Sequence, residues 1–338
     1  MDRAACRRDA PDNRCQPQQT SRMAEAFHGE RKTDAHDAYV IAQTLRMRDD
    51  LPTLTLADGV QQLKLLVSRR LDLVADRVRI TARITVRIQD LLTMISPALG
   101  KTLNLRSRGA LRLLAQWQTP AGLRRAGEAR ILAYLRQHGV RAAKALTAKA
   151  LAAARTQTVA VAGEATAAGI VAEMATDLEA VNDRITAIEE TLASVVADHE
   201  LGEIVTSLPG IGTTLAAEFL AHAGTLTTYP SAAALAAHAG LAPISRDSGR
   251  RQGHQVRPHR YHRGLRRVFS MSSFTALSHC PRSRAYYDKK RAEGKTHRQA
   301  TAALSRQRLN VLWACIRDKT PYQAKQPRSG ELAPCKLA

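Results

Sequence analysis

Apolar residues recur at alternating steps of three and four along two long stretches of the chain. In the first, Leu71, Val74, Val78, Thr81, Thr85, Ile88, Leu92 and Ile95 form one stripe, widened by Ile80 and Ile84. In the second, Met174, Leu178, Val181, Ile185, Ile188, Leu192 and Val195 repeat the spacing. That period returns one helix face to the same side every two turns, so both segments are predicted as long amphipathic helices. Between them, residues 99–163 are rich in Ala, Leu and Arg and are broken at Pro120, Ala121 and Gly122 and again at His138 and Gly139. Short helices joined by turns are expected there. Residues 1–22 show no apolar alternation and are read as disordered, as is the tail after Gln323 with its Pro327, Gly330 and Pro334. No apolar run approaches the ~20 residues that cross a bilayer, and the N-terminus is charged where a signal peptide is apolar, so a cytoplasmic protein with no membrane partner is expected.

Charge changes this picture of a helical scaffold. The 338 residues carry a formal net charge of +21, which points to a polyanionic partner, nucleic acid first. Residues 99–163 contribute +11 and residues 205–338 contribute +16, while residues 164–204 contribute −9. The first long helix carries Arg69, Arg70, Arg77, Arg79, Arg83 and Arg87; the second carries Glu173, Asp177, Asp183, Glu189 and Glu190. Unlike charges of this kind favour an antiparallel pairing, within one chain or between protomers, as a coiled coil or as two core helices of a bundle. Aromatic residues make up only 4%, which disfavours a single-strand binder built on stacked bases. The five cysteines form no CxxC pair, so neither a disulfide framework nor a zinc ribbon is indicated.

Residues 207–220 begin Ser207, Leu208, Pro209, Gly210, Ile211, Gly212, Thr213. The segment resembles the helix-hairpin-helix motif of DNA-binding proteins. Gly210 and Gly212 would let backbone approach a sugar-phosphate chain, and the N–H groups that open the next helix at Thr213 would face a phosphate. The same turn also occurs as a plain connector between helices.

Residues 246–267 contain eight arginines, Arg246, Arg250, Arg251, Arg257, Arg260, Arg263, Arg266 and Arg267, against one acid, Asp247. So much charge is expected to face polyanion. Ser248 sits among them beside Gly249. A serine hydroxyl attacking a phosphodiester needs nearby cations and a small neighbour that admits DNA, and this segment supplies both. A turn serine in a basic loop is the other reading. His254, His259 and His262 suit phosphate contact or metal ligation. Asp34 and Asp37, three residues apart, would project from one helix face and could share a hard cation such as Mg²⁺; a solvated helix start explains the pair as well.

The order of these segments resembles the transposases of insertion-sequence family 110 and its relatives 116 and 902. The resemblance rests on Leu208 to Gly212, Gly240 to Pro243, Ser248 and Gly249, Gly264 to Arg267, Tyr287, Lys290, Arg291, Gly294, Lys295 and a final helix through Trp313. Upstream it rests on Lys32 to Ala38 with Ile41 and Ala42. It covers about residues 23–322. It implies a ribonuclease-H-like (RuvC-like) domain with four acids, a coiled coil and a helical domain with a nucleophilic serine. The family cuts and joins DNA through a 5′-phosphoserine intermediate, guided by a structured RNA. By that resemblance Asp34 and Asp37 correspond to the third and fourth acids and bind Mg²⁺, and Ser248 is the nucleophile.

The expected organisation is therefore mainly α. Residues 1–22 lie outside the family pattern, residues 23–56 are a remnant of the RuvC-like domain, and residues 57–200 form the coiled-coil and basic helical region. Residues 201–322 form the C-terminal domain with its helix-hairpin-helix-like motif, ahead of the tail 323–338. The family's first Asp and its Glu lie on strands well upstream of the Asp-x-x-Asp pair, whereas only 33 residues precede Asp34 here. The expectation is a truncated transposase, retaining its binding of double-stranded DNA and guide RNA but with impaired strand cleavage. Exchange of two duplexes implies a homodimer or tetramer. A non-catalytic protein that bridges DNA through the hairpin and coiled coil is the alternative.

Overall fold

A computed structural model describes residues 34–47, 58–224, 226, 229–245, 255–256 and 258–323. Helices dominate. They are α1 (Asp34–Met47), α2 (Asp58–Ile95), α3 (Pro97–Thr102), α4 (Arg108–Gln116), α5 (Pro120–Gln137), α6 (Ala143–Arg155) and α7 (Glu164–Asp198), then α8 (Gly202–Thr206), α9 (Thr213–Ala223), α10 (Ala232–His238), α11 (Arg263–His279), α12 (Pro281–Ala292) and α13 (His297–Arg317). The strands among the described residues are two short ones, β1 (Ile244–Ser245) and β2 (Gln255–Val256), paired antiparallel with Ile244 opposite Val256. The chain divides into two compact units: Leu65–Asp198, and a second formed by the residues up to Lys64 together with those from His199 onward.

In the first unit α2 and α7 run antiparallel. Arg70, near the start of α2, donates to Glu189 near the end of α7 at 2.6 Å, while Gln157, just ahead of α7, donates to the carbonyl of Ile95 at the end of α2 at 2.7 Å. The buried stripe of α2 runs through Leu73, Ile84, Ile88, Leu92 and Ile95. Val78, expected on this stripe, is instead 62% exposed, and Ile84 lies on it in place of half-buried Thr85. The reason is drift: a straight α-helix has 3.6 residues per turn, so a strict three-four pattern slides off the buried face.

Helices α3 to α6 share one hydrophobic core with the long pair. Helix α4 packs on α7, α5 on α6, and α3 on α6. Leu99, Leu113, Leu114, Leu123, Ile131 and Leu135 close a core with Ile88, Leu92 and Val171. Their starts follow from local chemistry: Ser107 accepts from the Ala110 N–H, and Thr119 accepts from the Gly122 N–H with Pro120 in the first turn. Arg124 donates to the carbonyls of Ala154 and Gln157, occupying acceptors that the end of α6 leaves open.

The second unit is organised around α11 and α13, which pack on each other. Helix α9 lies on α11, α12 touches both α11 and α13, and α10 and α8 rest on α13. Phe219 of α9 meets Phe269 of α11 edge-on at 5.9 Å, and both are fully buried. A capping box starts α13: Thr296 accepts from the Gln299 N–H while the Gln299 side chain accepts from the Thr296 N–H. In α1, Val40 is buried.

Candidate nucleic-acid interface

Helices α8 and α9 are joined by the turn of residues 207–212, and two groups hold this turn from behind. The guanidinium of Arg308 on α13 donates to the Pro209 carbonyl and to Ser272 Oγ at 2.7 Å. From the other end of the domain, the Tyr322 N–H donates to Ser207 Oγ at 2.7 Å. Gly210 has φ +84, and a Cβ there would lie 2.7 Å from the Ser272 carbonyl oxygen and 3.1 Å from the Ala276 nitrogen. The close approach that Gly210 permits is thus to the backbone of α11. Gly212 is different: it is the exposed N-cap of α9, extended, and a Cβ there would have nothing within 4 Å. The open edge of this turn therefore consists of Gly212 and exposed Thr213, where the first N–H groups of α9 begin.

The second element is a hairpin whose stem is β1 and β2. Ser248, Arg246, Arg250, Arg251 and His254, which lie between the two strands in sequence, and Arg257, just after them, fall outside the described residues. The base of the hairpin is closed by several contacts. The His262 N–H donates to the His238 carbonyl at 2.7 Å, and Arg266 Nη1 donates to the Gly240 carbonyl at 2.6 Å. The Arg266 guanidinium also stacks over the Tyr261 ring at 4.8 Å. Gly240 has φ +67, and any Cβ would fall 2.6 Å from Tyr261.

Three histidines gather behind this base. The ring of His262 lies 4.8 Å from that of His222 and 5.2 Å from that of His238, and the Tyr229 hydroxyl shares a 2.7 Å hydrogen bond with His238 Nδ1. His262 caps α11, its Nδ1 accepting from the Leu265 N–H. Burial, then the neighbouring His222 and His238, push the His262 pKa down to about 4. Burial likewise lowers His222, helped by the charges of Lys64 and Arg267, and lowers His238. The cluster is thus a neutral, packed support at ordinary pH. Among the described residues no group of three or more His, Cys, Asp or Glu has metal-binding geometry.

The arginines of this region separate into two kinds. Arg260 and Arg263 are exposed, as is His259. Arg266 serves the hairpin base, and Arg267 pairs with Glu218, a carboxylate only 1% exposed. Asp34 and Asp37 lie on the first turn of α1; their side chains are outside the described residues. The sequence singles out His262 but not His222, His238 or Arg308, whose partners His262 and Pro209 lie 24 to 99 positions away. A lone His on an apolar helix and an Arg in a final helix carry no local signal of such company.

In the first unit, Arg112 donates to Glu179 at 2.8 Å and Arg108 to Asp183 at 2.5 Å. Part of the +11 of residues 99–163 therefore faces the chain's own acidic helix. No described helix is long and apolar enough to cross a membrane.

Comparison with known proteins bears on the whole chain. Residues 202–288 match the family described as Transposase IS116/IS110/IS902, and residues 14–97 match the DEDD transposase family of IS110. The 44.8 kDa protein of insertion element IS116 from Streptomyces clavuligerus is 45% identical over 309 residues, 91% of this chain and 76% of that protein. The 42 kDa protein of IS900 from Mycobacterium paratuberculosis is 44% identical over 88% of this chain and 75% of its own length. The 43.6 kDa protein of IS110 from Streptomyces coelicolor is 38% identical over 92% of this chain and 77% of its own length.

Proposed function

This chain belongs to the IS116/IS110/IS902 family of transposases, and from that premise we propose that it cuts and joins DNA through Ser248. One observation carries the reading. The arginine-rich segment bearing Ser248 is strung between two paired strands, and its base is clamped by His238, Gly240, Tyr261, His262 and Arg266. In-line attack on phosphorus demands an oriented nucleophile, and a stem fixed at its base is the support this reading needs. In the proposed step the Ser248 oxygen bonds to phosphorus, the bond from phosphorus to the 3′ oxygen breaks, and the leaving 3′ oxygen takes up the proton that the serine hydroxyl gives up. Arg246, Arg250 and Arg251 would offset charge on the phosphoryl oxygens. Gly212, Thr213, Arg257, Arg260 and Arg263 would hold duplex backbone, contacts that position DNA without reading its sequence.

Asp34 and Asp37 fit a shared divalent cation in one respect: the i, i+3 spacing on α1 puts them on one face. Mg²⁺ held there would offset charge on phosphate oxygens, with water and substrate completing its shell. Target choice by a guide RNA, and assembly as a dimer or tetramer that holds two duplexes, complete the proposal.

The test is a suicide DNA substrate that traps a covalent protein–DNA adduct. Ser248→Ala should remove the adduct while leaving salt-sensitive DNA binding in place. An adduct that persists in that variant overturns the serine mechanism; DNA binding with no adduct from the wild-type chain selects a non-catalytic bridging protein instead.

A further inference from the structure

Beside the turn that Arg308 holds lies a cleft of about 150 Å³, and no acid lines it. Its polar lining is Arg282, Ser283, Tyr286, Gln307, Arg308 and Tyr322, contributed by α12, α13 and the segment after α13. Arg308 is the unusual member. It is only 4% exposed, and its hydrogen-bond acceptors are Ser272 Oγ, Ser283 Oγ and the Pro209 carbonyl, all neutral. Among the described residues no carboxylate pairs with it. A buried cation satisfied only by neutral dipoles leaves a positive potential uncompensated, and such a site favours an anion.

Two further observations agree. Arg282 stands at the mouth of the cleft, exposed, so a second guanidinium can reach a ligand placed beside the first. Burial works against ionisation of the Cys280 thiol at the start of α12, yet hydrogen bonds from Ser283 and the charge of Arg308 outweigh it and draw the thiol below its usual range. A neighbourhood that favours a thiolate despite burial favours other anions as well. Burial pushes the Arg308 guanidinium down to about 10, which keeps it charged at neutral pH.

We propose that this cleft is a second phosphate site, separate from the serine hairpin, in which Arg282, Arg308 and the hydroxyls of Tyr286 and Tyr322 receive one phosphate group, with Ser283 holding Arg308 in place. The geometry suits it: hydroxyl and guanidinium donors converge, and the tyrosine rings and Val311 give an adjoining sugar or base an apolar wall. The site lies directly behind residues 207–212, so a phosphate seated there would also brace the turn through Arg308. The inference rests on the DNA-handling reading only for the source of the phosphate, which is a strand end or the free ion.

The experiment uses the full chain carrying Ser248→Ala, so that binding is read without any cleavage. Inorganic phosphate is titrated at constant ionic strength and heat is measured. A 5′-phosphorylated oligonucleotide is then compared with the same strand lacking its phosphate. Saturable phosphate binding is expected, weakened about tenfold by Arg282→Gln and unchanged by Arg130→Gln, an equal loss of charge at an exposed position of α5. Preference for the phosphorylated strand assigns the site to strand ends; equal binding of both strands assigns it to the free ion. Absence of saturation, or equal weakening by Arg282→Gln and Arg130→Gln, overturns the proposal. Because Arg282 is exposed, loss of fold does not intervene, and the adduct assay stands or falls independently.

Discussion

Arg108 and Arg112 on α4 aim their charge at Glu179 and Asp183 of α7, whereas Arg260 and Arg263, around the start of α11, face solvent with no ion pair among the described residues. Both regions look alike when charges are merely counted along the chain. The contrast teaches that a basic block is a nucleic-acid surface only where the fold has not already supplied it with acid. In the first unit the acidic helix consumes part of the block, leaving outward cations such as Arg125, Arg130, Arg136 and Arg141. In the second unit even the arginine-rich segment is split, because Arg266 and Arg267 turn inward to a carbonyl and to Glu218.

The largest effect should come from breaking the turn on which the second unit presents its open edge. Gly210→Ala places a side chain at positive φ and against the Ser272 carbonyl, and should lower unfolding free energy by about 3 kcal/mol. Gly212→Ala meets nothing within 4 Å and should cost under about 1 kcal/mol, yet weaken DNA binding by intruding on the exposed edge. Denaturant unfolding beside DNA titration separates the two. If both variants lose stability equally, the division of labour between these glycines is wrong.

Next in size is the inward arginine. Arg267→Met leaves Glu218 buried without that cation and should cost about 2 kcal/mol, the usual penalty for breaking a buried pair being reduced because Arg267 is itself 43% exposed. Arg108→Met loses half-exposed pairs and should cost under about 1 kcal/mol. Equal losses in the two would remove the distinction between structural and surface arginines.

Much of this organisation is legible in the chain itself. The two long amphipathic helices follow from period, and the short helices between them follow from composition and from the breaks at Pro120 to Gly122 and at His138 and Gly139. What periodicity cannot show is the tertiary traffic. Val78 has the right spacing and the wrong azimuth, since drift accumulates over a 38-residue helix. The motif of Gly210 and Gly212 reads as one device for approaching phosphate; one glycine proves to serve α11 and the other the surface. Arg308, which holds the turn from 99 residues away, has nothing in its own neighbourhood to announce it.

Acid should expose the histidine cluster. His262 has a pKa of about 4 in the fold, against an ordinary value near 6.5 in the unfolded chain. As pH falls below about 6.5 the unfolded chain takes up a proton that the folded one refuses until about 4, so stability is full above 6.5 and declines through that window. The ring is only half buried, so solvent screening limits the loss to on the order of 1 kcal/mol. His262→Asn keeps an acceptor for the cap of α11 and should flatten, without abolishing, the loss measured between pH 7.5 and 5, since His222 and His238 shift the same way. An unchanged pH slope would show that the cluster is not packed behind the hairpin base.

The smallest expected change in stability tests the opening contrast most directly. Arg260→Gln with Arg263→Gln removes two exposed cations that make no ion pair among the described residues, and unfolding should shift by under about 0.5 kcal/mol. DNA affinity should fall uniformly across sequences, and the slope of log K against log salt should become shallower by about 2, one for each phosphate no longer neutralised. Arg108→Gln with Arg112→Gln removes the same formal charge from the first unit, yet those guanidiniums already face Glu179 and Asp183, so the slope should hardly move. Equal slopes for the two double variants would mean that net charge, rather than which cations the fold leaves unpaired, governs how this transposase meets DNA.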